Sequence, residues 1–135
     1  MPTVTFLEVK STHDKLAAIS KTVQHHYERE EAVLIVVPNE EAAQYVDQLL
    51  WKLPADGFLP HDIGSKECND VVLITTQKQN LNHAPVLIQL CQEASAIAQE
   101  FQQVYELYDR THPSKEKAAQ ERKEYYRAQG FALSE

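Results

Sequence analysis

A chain of 135 residues, 43% hydrophobic and 24% charged, is long enough to bury roughly two-thirds of its unfolded surface as one domain, without a metal or disulfide to hold the core. Its net charge of −7 argues against strong direct nucleic-acid binding, which draws on clustered Lys and Arg. No run of about 18 apolar residues is present to span a membrane, and no basic-then-apolar leader opens the chain. The expectation is a cytoplasmic protein in which Cys68 and Cys91 stay reduced.

The charge is uneven. Residues 1–109 hold seven Lys/Arg against sixteen Asp/Glu, whereas residues 110–135 hold six against four. An acidic body with a basic end points to protein partners, one of them acidic.

Taken in chain order, Thr3–Val9 alternates β-branched and aromatic residues and predicts a strand. Ser11–Thr12 offers an N-cap, after which Leu16, Ile19, Val23 and Tyr27 recur at helical spacing through Arg29. Ala32–Val37 is apolar without alternation, the pattern of a strand buried on both faces of a parallel sheet. Asn39 caps a second helix with an apolar side of Ala42, Ala43, Val46, Leu49 and Leu50. Strand, helix, strand, helix is the order of a right-handed βαβ unit.

Lys52–Asn69, with Pro54, Gly57, Pro60 and Gly64, reads as a structured loop. Val71–Thr75 and Pro85–Leu90 are short strands separated by the polar loop Gln77–Ala84. Ala94–Glu100 gives a turn or two of helix, and Val104–Tyr108 an edge strand. From Pro113 the chain is helical until Gly130 stops it. The expected class is α/β, a single domain over residues 1–135 with a mostly parallel sheet, Rossmann-like but without a dinucleotide motif.

The turns after the first two strands, Val9–His13 and Val37–Glu40, contain no glycine. A pyrophosphate needs glycines there so that backbone N–H groups can approach it. His25 and His26 are adjacent and point about 100° apart on a helix, so they do not share a metal. His83 and His112 have no partner at ligand spacing, and Cys91 follows an apolar strand with no base beside it in sequence. No catalytic residue, cofactor site or metal site is expected.

One segment stands apart. Leu50–His61 ends a helix with Trp51, the only tryptophan, and carries Phe58, Pro54 and Pro60 into a loop. These aromatics either tuck onto the domain's own core or anchor a partner. Trp is enriched at interface hot spots, and prolines reduce the entropy lost on binding.

The run Leu50-Trp51, Pro54, Phe58-Leu59-Pro60-His61 resembles a motif of the chi subunit family of DNA polymerase III. Glu121-Arg122, Tyr126-Arg127 and Gly130-Phe131 resemble that family's C-terminal signature, and the order of strands between the two motifs agrees. The resemblance implies a three-layer α/β/α sandwich without an active site of its own. It implies an adaptor in the clamp-loader assembly, held by the psi subunit or a helicase partner and gripping the acidic C-terminal tail of single-stranded DNA-binding protein. By motif position, the psi or helicase face falls on Trp51, Phe58, Pro60 and His61. The tail-binding site falls on Lys115, Lys117, Arg122, Lys123 and Arg127, around two positions that are basic in the family and hold Glu116 and Gln120 here. Lys115 and Arg122 share a helix face, and Lys117 points nearly the opposite way. A solvated helix laced by pairs such as Lys117–Glu121 is the alternative for these residues. For the whole chain, a small nucleotide-binding domain or a stand-alone interaction module of the same fold are the other readings.

Overall fold

The computed structural model describes residues 2–52 and 59–134. Seven strands form one sheet: β1 (Thr3–Val9), β2 (Val33–Val36), β3 (Asp62–Ile63), β4 (Val72–Thr75), β5 (Val86–Gln89), β6 (Gln103–Asp109) and β7 (Ala132–Ser134). Their order is β3-β4-β2-β5-β6-β1-β7, and all six pairings are parallel. Parallel neighbours need crossovers, supplied here by α1 (Thr12–Glu28) after β1, α2 (Glu40–Trp51) after β2 and α3 (Pro113–Ala128) after β6. A single 3₁₀ turn, Ala98–Glu100, lies between β5 and β6.

Every residue of β2, β4 and β5 is buried, as their unbroken apolar runs require of strands covered on both faces. Alternate residues serve opposite layers. Val33 and Ile35 pack with Ile19 and Val23 of α1 and Val46 and Leu50 of α2. Leu34 and Val36 pack with Tyr126 of α3, Phe101 and Phe131. The three-layer α/β/α sandwich is therefore present, with a sheet that is wholly parallel.

Helix starts follow the residues that cap them. Ser11 Oγ accepts the Asp14 N–H at 3.1 Å, and Asn39 Oδ1 accepts the Ala42 N–H at 2.8 Å. At its end, α3 closes on Gly130 at φ 89°, with the Phe131 N–H reaching back to the Tyr126 carbonyl at 3.1 Å and the two rings 5.5 Å apart. This Schellman closure explains the Gly130-Phe131 pair: glycine takes the left-handed backbone and phenylalanine re-enters the core.

The end of α1 is built the same way without glycine. Glu30 sits at φ 61°, and the Glu31 N–H reaches the His26 carbonyl at 2.9 Å. A left-handed residue with a Cβ costs about 1 kcal/mol. Glu30→Gly is thus expected to stabilise the fold by roughly that amount, read as a higher thermal midpoint; a lower midpoint contradicts it.

Two expectations are corrected. Val104–Tyr108 was placed at an edge, but β6 lies inside the sheet between β5 and β1. Glu106, in the middle of this strand, is buried among partners. The actual edges are β3, inside the stretch expected to be loop, and β7, beyond the last predicted helix. Both are two or three residues long, which limits pairing with foreign chains.

Candidate protein-docking sites

The last turn of α2 buries Leu50 and leaves Trp51 58% exposed. Apolar residues at 43, 46 and 50 hold the helix to the sheet, so residue 51 necessarily points away. After the segment containing Phe58, which lies outside the described residues, Leu59 is buried and Pro60 half-buried. His61 returns beneath α2, its ring 4.8 Å from the Trp51 ring in an edge-on arrangement. Its Nδ1 lies 2.8 Å from the Leu59 carbonyl, and its Nε2 lies 3.1 Å from Asp47 Oδ1, off the hydrogen-bond direction. The structure thus brings Trp51, Pro60 and His61 together. Asp47, one helical turn before Trp51, is a member that sequence inspection passed over, although i,i+4 spacing places it on the same face.

The basic residues of α3 divide between its faces. Arg122 turns inward: Nε is 2.9 Å from Glu106 Oε1, while the two terminal nitrogens donate to the carbonyls of Gln92 and Leu107, each at 2.9 Å. Glu106 also accepts from the Tyr126 hydroxyl at 2.6 Å and Gln89 Nε2 at 3.0 Å. Burial pushes the Glu106 carboxyl up to about 7, against the pull of Arg122, Tyr126 and Gln89. Burial and the neighbouring Glu106 likewise raise the Tyr126 phenol.

On the outer face, Tyr108 carries two cations, with the Arg110 guanidinium 4.5 Å and the Lys123 ammonium 5.7 Å from its ring centre. Arg110 also pairs with Glu8 and Glu116, and Arg127 pairs with Glu124. Gln120 accepts the Tyr108 hydroxyl at 2.7 Å. Lys117 stands exposed, and Lys115 approaches Asp109 at 3.9 Å. Glu116 therefore faces a guanidinium, and the patch centres on Tyr108 and Arg110, which sequence inspection did not select.

A crevice of about 580 Å³ opens at the C-terminal ends of β2, β5 and β6. Lys15, Asn39, Tyr45, Asp109 and Lys115 rim it, over a floor that includes Ile19, Val46 and Leu107. This is where open α/β sheets commonly take ligands. Here one first-turn N–H of each surrounding helix is already held by Ser11, Asn39 or His112. Thr111 and Lys115 hold the Asp109 carboxyl below the usual range although burial acts to raise it. A carboxylate on the rim and engaged helix starts make a poor cradle for phosphates.

Among the described residues no three His, Cys, Asp or Glu gather to hold a metal, and no helix is long and apolar enough to cross a membrane.

A family profile described as DNA polymerase III chi subunit, HolC, matches residues 1–134. DNA polymerase III subunit chi of Escherichia coli (strain K12) is 29% identical over 135 residues, covering 95% of this chain and 91% of the relative. DNA polymerase III subunit chi of Pseudomonas aeruginosa is 28% identical over 97 residues, covering 72% of this chain and 68% of the relative. With a match that runs from the first strand through the last and takes in both the Trp51 turn and α3, the chain belongs to the DNA polymerase III chi subunit family.

Proposed function

We propose that this protein is a non-catalytic accessory subunit of bacterial DNA polymerase III, acting in the cytoplasm as an adaptor between two partners. The observation that carries the reading is Trp51, 58% exposed at the end of a helix that is otherwise pinned to the sheet, in a chain of the chi family. An indole held out on a rigid element loses little entropy when a partner covers it. The partner assigned to that face is the psi subunit or, in its place, a helicase, with Phe58, Pro60 and His61 completing the contact. Co-purification of the tagged chain with clamp-loader subunits tests the assignment, and recovery of the chain alone from replicating cells counts against it.

The second partner is the acidic C-terminal tail of single-stranded DNA-binding protein, received on the outer face of α3. Lys123 and Arg127 supply charge there with Lys115 and Lys117 flanking it on other sides of the helix, Arg110 and Tyr108 support Lys123, and Arg122 acts from below by fixing the helix to β6. Lys123→Glu is expected to weaken binding of the tail peptide by about 1 kcal/mol, or roughly fivefold, because exposed charge contacts are individually modest. Calorimetric titration at low and raised salt reads this. No binding at low salt removes the tail from this face.

A further inference from the structure

We infer that Glu116 is a built-in competitor of the acidic tail: its carboxylate occupies Arg110, the cation at the centre of the docking face on α3, and an incoming carboxylate has to displace it. The inference deepens the tail-binding reading given above and rests on it.

Arg110 is placed more firmly than a surface cation usually is. It directly follows β6, and its N–H donates to the Val9 carbonyl at 2.7 Å, which ties its backbone to the end of β1. Its guanidinium lies 4.5 Å from the Tyr108 ring centre, and the Tyr108 hydroxyl is held in turn by Gln120 Oε1 at 2.7 Å. A planar guanidinium stacked on a fixed ring presents its N–H fork in a set direction, an arrangement well suited to a carboxylate.

The protein already fills that fork. Nε donates to Glu8 on β1, and Nη1 donates to Glu116 in the first turn of α3. One positive charge between two negative ones leaves the cluster net negative, so an approaching carboxylate is repelled until one of the two moves away. The side chains of Arg110, Glu116 and Glu8 are 41%, 43% and 47% exposed. Pairs this exposed are weak and exchange readily with other anions.

The two carboxylates are not equivalent. Glu8 reaches Arg110 from the sheet, whereas Glu116 stands on α3, one turn before Gln120. A peptide lying along the outer face of that helix therefore meets Glu116 first. Once released into water, Glu116 still sits in the first turn, where the helix dipole favours a negative charge, so its displacement costs little. An isolated carboxylate gains nothing over the one it replaces. A run of carboxylates can take Arg110 and also meet Lys123 and Arg127 further along the helix. The face is thereby selective for acidic runs over single acidic groups.

Calorimetric titration of the full chain with the tail peptide at low salt tests this. Glu116→Gln is expected to tighten binding about threefold, the scale of an exposed charge contact. Arg110→Gln is expected to weaken it, and the gain from Glu116→Gln should largely vanish when the two changes are combined. Glu121→Gln removes the same charge from the same helix, about 140° round its axis, and should leave affinity nearly unchanged. An equal gain from Glu121→Gln means that net charge alone acts, and it overturns the competitor, as does a Glu116→Gln gain that survives beside Arg110→Gln. A peptide that binds the wild type and ignores Glu116→Gln overturns the competitor alone and leaves the tail on this face. Absence of binding by both wild type and Glu116→Gln at low salt overturns the two readings together.

Discussion

Replacing Arg122 by methionine is expected to cost about 3–5 kcal/mol of stability, because it strips the counter-charge from a carboxylate that is 1% exposed. Methionine fills similar volume but offers no donor, and three bonds disappear with the guanidinium. One goes to Glu106, and the others hold the carbonyls of Gln92 and Leu107. These tie α3 to the strand beneath it and to the turn after β5. Lysine should recover only part of the loss, since a point charge does not span three acceptors.

The effect carries a pH signature. In the folded wild type Glu106 takes up a proton at about 7, well above a free carboxyl. The native state then binds more protons than the unfolded chain between the ordinary carboxylate range and about 7. The stability this group contributes is present on the acid side and is lost as pH rises through that window. Without Arg122 one force lowering the carboxyl is gone, so the window widens upward. Urea unfolding of Arg122→Met should show a smaller deficit at about pH 5 than at about pH 8. Equal deficits at both values would mean that Glu106 is not the group left uncompensated.

Trp51→Ala is expected to weaken psi binding by about 2 kcal/mol or more, near thirtyfold, with little change in folding stability. The separation follows from exposure. More than half of Trp51 faces solvent, whereas Leu50 beside it is fully buried and holds the helix. A partner that covers the indole removes apolar surface still in water, and truncation forfeits that gain. Calorimetry with purified psi measures the loss, and thermal unfolding of the same variant shows whether the scaffold is intact. A change below about twofold would move the psi contact elsewhere on the molecule.

Much of the framework was readable from residue patterning because parallel strands buried on both faces leave unbroken apolar runs. Ala32–Val37 and Pro85–Leu90 are such runs, and both contain central strands. β3 and β7 were not readable, since two or three residues carry no periodicity and these strands exist only through their registers with β4 and β1. Trp51 and His61 stood out as residue types, but their contact depends on a chain reversal that no spacing encodes. Arg122 was grouped with the surface cations because a charged residue is usually solvated. A signal was nonetheless present: it lies three residues after Ala119 and four before Tyr126, on the buried stripe of α3. The basic end of the chain is also less available than its charge suggests, with Arg110 and Arg127 already paired on the surface.

The sheet order has a consequence for synthesis on the ribosome. Both neighbours of β1 come from the last third of the chain, since it pairs with β6 along its whole length and with β7 at its start. Val4 and Phe6 therefore emerge early and cannot reach their native pairing until residues 103–109 have left the exit tunnel. The α1-β2-α2-β4 portion has its own mutual contacts to make in the meantime. Such long-range closure slows folding and leaves an apolar strand waiting in the nascent chain. That interval, more than any weakness of the finished sandwich, is where this protein would call on a chaperone.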